Sequence, residues 1–115
     1  MARTQMPDAI QRREVLEQKL DPAKALKYAE AYLEHDRVIE ALAFLEKAEA
    51  RDRLEAIRDE AIAAGDVFLL RESALRLGEE PDADAWRRLA DAAAAAGKES
   101  YAVEARRQLS AREAR

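Results

Sequence analysis

One histidine, no cysteine, one threonine and three serines leave this chain few groups for catalysis. His35 is the sole imidazole, and Glu34 and Asp36 flank it, so the trio could offer one nitrogen and two carboxylates to a metal. A zinc site draws mostly on Cys and His and needs three or four protein ligands, so the trio falls short, and its polar surroundings suit a solvated turn histidine. Ser73, Ser100 and Ser110 have no base near them in sequence to activate a hydroxyl. Gly65, Gly78 and Gly97 each stand alone, so no glycine-rich loop can cradle a phosphate. Carboxylate pairs are common: Glu30 with Glu34, Glu55 with Asp59, Glu79 with Glu80. Acid–base work needs such groups in a desolvated cleft with shifted pKa values. Here they are interleaved with cations at helical spacing, as in Glu72 with Arg76 and Asp84 with Arg87 and Arg88, which is the pattern of solvated ion pairs. The reading is a protein that is not an enzyme, with no catalytic residues, no metal and no cofactor. The aromatics Tyr28, Tyr32, Phe44, Phe68, Trp86 and Tyr101 are spread along the chain as packing residues rather than gathered in a cofactor box.

Charge offers a second kind of chemistry, recognition. Arg12-Arg13, Arg87-Arg88 and Arg106-Arg107 are adjacent pairs. Neighbours on a helix point about 100° apart, so each pair serves two faces, and Arg87 or Arg88 can hold a partner's carboxylate or phosphate bidentately. The net charge is −4 with a pI near 5.2, which argues against nucleic acid or an anionic membrane as partner. The segment Met1–Pro7 has no apolar stretch of signal-peptide type, and no apolar run approaches the roughly 18 residues of a membrane span. A cytoplasmic location is the expectation.

The elements that must position these groups are helices. Ala, Leu, Glu, Arg and Lys, all strong helix formers, number 27, 13, 15, 15 and 5 in 115 residues, while Val, Ile and Thr number 4, 4 and 1. So few β-branched residues cannot furnish a sheet. Punctuation is regular: Pro7-Asp8 with Gln11, Asp21-Pro22, His35-Asp36, Asp52 with Glu55, Gly65-Asp66, the stretch Gly78–Asp82, and Gly97. Asp8, Asp21, Asp36, Asp52 and Asp66 read as N-caps, and Gly65 as a left-handed helix end. Between these marks apolar residues recur at +3 and +4, as in Leu54, Ile57, Ala61 and Ala64, then Val67, Leu70, Ala74 and Leu77. About seven helices of roughly 11 to 16 residues follow, and short connections make sequential neighbours antiparallel. The domain reading is a single unit over 1–115, with a leading helix at 8–20 and helical hairpins at 22–50, 52–77 and 82–114. The leading helix has only Ile10, Val15, Leu16 and Leu20 to bury and is expected to dock loosely.

The hairpin turns at Asp36, Gly65 and Gly97 lie 29 and 32 residues apart, a period of the size found in stacked helical repeats. Trp86, Leu89-Ala90, Ala93, Gly97 and Ala102 follow the spacing of a tetratricopeptide unit, and Tyr32, Ala41, Leu45 and Ala48 match it in the first hairpin. The chain thus resembles the tetratricopeptide-repeat, or α-solenoid, family, whose period of about 34 residues it undershoots. The resemblance implies an all-α, right-handed array of antiparallel hairpins. It also implies a groove lined by the first helix of each hairpin: Leu26, Glu30 and Leu33, then Glu55, Asp59 and Ile62, then Arg87, Asp91 and Ala94. The expected function is a protein–protein interaction module (adaptor, assembly factor or chaperone) that takes a basic or apolar segment, with an acidic group near Arg87. The alternative is a self-associating helical-bundle subunit, a homo-oligomer joined through Phe68, Leu69 and Leu75.

Overall fold

The computed structural model describes residues 6–114. Among them are seven helices and no strand: α1 (Ala9–Glu17), α2 (Pro22–Glu34), α3 (Val38–Lys47), α4 (Arg51–Ala64), α5 (Val67–Leu77), α6 (Ala83–Ala95) and α7 (Glu99–Glu113). The all-α class is as the composition dictates. By contact density the chain divides into two compact units, Met1–Leu54 and Glu55–Arg115, with the division one turn into α4.

Several helix starts follow from the aspartates. The Asp8 carboxylate accepts from the Gln11 amide at 2.8 Å, and the Gln11 side chain accepts from the Asp8 amide at 3.1 Å, a complete capping box. Asp66 and Asp82 accept from the Leu69 and Ala85 amides at 3.0 and 2.8 Å. Asp21 occupies an N-cap with Pro22 behind it but makes no side-chain cap bond. Two expected caps do not form. Asp36 instead ends α2 in a left-handed conformation, φ 57°, and Arg37 stands at the N-cap of α3. Asp52 lies inside the first turn of α4, which begins at Arg51, two residues earlier than the cap reading requires.

The ends of α2 to α6 share one solution. Asp36, Glu49, Gly65, Gly78 and Gly97 all have φ between 56° and 73°. The amide after each bonds the carbonyl five residues back: Arg37 to Tyr32 at 3.0 Å, Ala50 to Leu45 at 3.0 Å, Asp66 to Ala61 at 2.9 Å, Glu79 to Ala74 at 2.9 Å and Lys98 to Ala93 at 2.8 Å. These are Schellman closures, which satisfy carbonyls that a helix end otherwise leaves open. Asp36 to Gly65 and Glu49 to Gly78 are the same 29-residue step, so α2–α3 and α4–α5 repeat one another turn for turn.

In the Met1–Leu54 unit, α2 and α3 form an antiparallel hairpin. Ala25, Ala29, Ala31 and Tyr32 are buried on α2, with Ala41, Leu42, Phe44 and Leu45 on α3. Tyr32 stacks on Phe44 with centroids 5.6 Å apart, and Tyr28 tilts against Phe44 at 5.4 Å. The leading helix is shorter than 8–20, ending at Glu17, and buries no side chain, with Ile10 74% exposed.

In the Glu55–Arg115 unit, α6 and α7 form the closest pair, and α7 also touches α5. Trp86, 1% exposed, is the largest side chain of a core that includes Ala61, Ile62, Leu70, Leu89, Ala90, Ala93, Ala102 and Ala105. The alanines matter because they let backbones approach. A Cβ placed on Gly65 would lie 2.5 Å from both the nitrogen and the Cα of Ala93. Arg112 caps the core from α7: it donates to the Pro81 carbonyl at 2.9 Å, to the Gln108 carbonyl and side chain at 3.1 and 2.8 Å, and to Glu80 at 3.1 Å. Its guanidinium lies 5.4 Å from the Trp86 ring centroid, and that of Arg71 lies 5.9 Å away. Cations over an indole face add attraction to plain burial.

Glu104 joins α5 to α7. It accepts from Arg71 at 2.6 Å, from Gln108 at 3.0 Å and from Arg107. Donation by Gln108, and then by Arg71 and Arg107, holds its carboxyl below the usual range. A carboxyl whose folded pKa is depressed adds stability above its unfolded value, roughly 4.3, and loses it as pH falls through the folded value. Glu104→Gln should therefore cost about 0.5–1 kcal/mol near pH 7, and the gap from the parent should close toward pH 3. Urea midpoints measured across that range check this, and a gap independent of pH would contradict the linkage.

Candidate interaction surfaces

Leu26, Glu30 and Leu33 stand at i, i+4 and i+7 on α2, hence on one stripe. Glu30 is exposed and the two leucines are half-buried. The stripe runs along two open depressions in the Met1–Leu54 unit. One, of about 350 Å³, is lined by Leu26 and residues 49–53. The other, of about 410 Å³, is lined by Glu30, Leu33, Glu34 and Arg53. Arg53 borders both and reaches Glu30 at 3.3 Å. Glu30, Glu34, Glu49 and Asp52 outnumber Arg51 and Arg53 around them, so the rim is acidic over a leucine floor. The structure thus brings these three expected residues together and adds Arg53, which sequence reasoning missed. Glu30 and Arg53 are 23 residues apart, and only the hairpin period could have hinted at their meeting.

Glu55, Asp59 and Ile62 share a stripe on α4 by the same spacing. Glu55 is half-buried and Asp59 exposed. Ile62 departs from its expected place on an open groove: it is 5% exposed and belongs to the core with Leu70 and Trp86. Packing claims it because α4 must seal that core with few large side chains. One edge of Ile62 still reaches a depression of about 270 Å³, bordered also by Leu70, Ala74, Pro81 and Ala85 and by Arg58, Glu79, Glu80 and Asp82. Arg58, not anticipated from sequence, crosses this rim to Glu79 at 2.7 Å and meets Asp59 at 3.1 Å. Here too three carboxylates face one guanidinium over an apolar floor.

Arg87 and Asp91 are exposed one turn apart on α6, while Ala94 is half-buried against the core. Arg87 lies 3.2 Å from Glu113 and 3.7 Å from Asp84, so its charge is shared with two carboxylates. Phe68 and Leu75 are 51% and 67% exposed at i and i+7 of α5, whereas Leu69 packs against the core.

His35 and Ser73 each lie against a carbonyl of their own helix. His35 is exposed at the end of α2, its Nδ1 2.9 Å from the Ala31 carbonyl. The buried Ser73 hydroxyl is 2.8 Å from the Leu69 carbonyl and 3.2 Å from that of Leu70. Among the described residues no group of three or more His, Cys, Asp or Glu side chains is arranged to hold a metal ion. No described helix is long and apolar enough to cross a membrane. No family model matches the chain, and neither the curated proteins nor the solved structures include a significant match to it.

Proposed function

We propose that the protein is a non-enzymatic, cytoplasmic protein–protein interaction module of tetratricopeptide-like hairpins. Its first-helix faces take a segment of another protein that carries cations on an apolar backbone of contacts. The observation that supports this most is the leucine-floored, acid-rimmed stripe Leu26–Glu30–Leu33 with Arg53 beside it. The same chemistry recurs around Arg58 and Glu79. An apolar floor supplies area and a charged rim supplies register and choice of partner. Arg87, countered by Glu113 and Asp84, accepts an acidic group only by exchange of these partners.

The test uses a synthetic peptide of alternating Lys and Leu and a Glu–Leu counterpart, titrated against the full chain by calorimetry at low salt. The parent should bind the Lys–Leu peptide in preference to the other. Reversing two rim charges per variant, Glu30→Lys with Glu34→Lys or Glu55→Lys with Asp59→Lys, should weaken binding roughly tenfold, since each exposed ion pair contributes about 0.5–1 kcal/mol. Unchanged affinity in both variants, with helicity retained, would sink the assignment.

Self-association is the second reading. It rests on Phe68 and Leu75, two large apolar side chains exposed on one face of α5. Sedimentation velocity separates the two: a mass near 12.9 kDa at all concentrations supports the module, and a concentration-dependent dimer supports the bundle subunit.

A further inference from the structure

We infer that the aromatic corner of the Met1–Leu54 unit is a proline-accepting site, filled in this structure by the chain's own Met6-Pro7, and that an X-Pro segment of another protein can take its place. Tyr32 is fully buried, and its hydroxyl donates to the Pro7 carbonyl at 2.7 Å. Its ring is stacked on Phe44, and the Arg37 guanidinium lies 5.4 Å from the ring centroid. Arg37 also reaches the Met6 sulfur at 3.5 Å. Pro7 is buried, yet Asp8, Ala9 and Ile10 immediately after it are exposed, and α1 buries no side chain. The leading segment is therefore anchored chiefly at the residues before its N-cap, with the Arg12 side chain of α1 reaching the same Tyr32 hydroxyl.

The chemistry of that anchor suits proline in particular. Proline has no N–H to leave unpaired on burial, and its fixed φ leaves little entropy to lose. An aromatic wall with a hydroxyl aimed at a backbone carbonyl is how grooves grip proline-containing segments. The site reads a carbonyl beside a pyrrolidine ring, to which α1 adds the Arg12 side chain at the Tyr32 hydroxyl, and another chain can present the same carbonyl and ring. Tyr32 leaves α2 about 100° around the helix from Leu33, so this site is separate from the acid-rimmed stripe and stands or falls independently of it. Because the resident segment is tethered, its effective concentration is in the millimolar range, and a competitor binds well only once the segment lifts.

The experiment adds a fluorescent peptide copying residues 4–9 to the full chain and reads anisotropy. Pro7→Lys, which puts a charge where a buried proline stands, releases the resident segment. Hydrogen exchange should then rise several-fold in α1 and stay unchanged in α2 and α3. This variant should bind the peptide at least tenfold more tightly than the parent. Adding Tyr32→Phe, or replacing the peptide's proline by alanine, should each weaken binding about fivefold. Equal, weak binding by parent and released variant overturns the proposal, as does indifference to the peptide's proline. If Pro7→Lys disturbs the hairpin, Tyr32→Phe alone decides: it must accelerate exchange in α1 with α2 and α3 protected, and unchanged α1 exchange overturns the inference.

Discussion

Gly65→Ala should weaken the Glu55–Arg115 unit by about 4 kcal/mol or more, enough to abolish its cooperative folding at ambient temperature. Two effects add. The turn holds Gly65 at φ 70°, where a Cβ costs roughly 1–2 kcal/mol. The new methyl would also stand 2.5 Å from the nitrogen and Cα of Ala93 and 2.9 Å from its Cβ. The nearer two are backbone atoms of α6, so relief requires moving the helix off the turn and opening the alanine contact that let the two approach. Gly78 and Gly97 provide the control, since they share the left-handed conformation but have nothing within 4 Å of the added Cβ. Their alanine variants should lose only about 1–2 kcal/mol. Urea midpoints for the three variants decide it, and equal losses would refute the contact as the cause.

Trp86→Ala is expected to cost about 3–5 kcal/mol. The indole is 1% exposed at the centre of a core otherwise furnished mainly by alanines and leucines, which are too short to collapse into the space. Arg71 and Arg112 would lose the ring they lie over, worth a further 0.5–1 kcal/mol each. Trp86→Phe keeps an aromatic face and should lose only about half as much. Circular dichroism in urea measures both. Because Trp86 is the sole tryptophan, its emission in the parent, blue-shifted by burial, reports the same transition. A loss under about 1 kcal/mol for the alanine variant would mean that Trp86 does not organise this core.

Much of this fold is legible in the residues. Alanine and leucine at +3 and +4 between aspartates and glycines give the helices, and the turns at Asp36, Gly65 and Gly97 carry the left-handed residues. Glu49 escapes notice because glutamate has no preference for φ 56°. It is driven there by the closure that joins Ala50 to the Leu45 carbonyl, a demand of the chain path rather than of the residue. Asp36 reads equally well as the end of one helix or the cap of the next, and only the backbone chooses. The leading helix stops at Glu17, where Gln18 turns to extended backbone and its amide bonds the Val15 carbonyl. For the surfaces, the α2 stripe was legible because one helix carries all of it. Arg53 with Glu30, Arg58 with Glu79 and Arg112 with Glu80 were not, because their partners lie 23, 21 and 32 residues away on other elements. Ile62 satisfied the groove spacing and the core spacing at once, and the core took it.

The five left-handed turns have one more consequence, for the order in which parts of the chain come undone. The Glu55–Arg115 unit places glycine at all three of its turns, whereas the Met1–Leu54 unit places Asp36 and Glu49. Each of those side chains adds about 1 kcal/mol of backbone strain that local opening relieves. Fluctuations that break a helix end are thus easier at either end of α3 than at the glycine turns, and such openings set the lower rungs of a protein's stability ladder. The half that holds Pro7 in its aromatic corner is therefore also the half built to breathe.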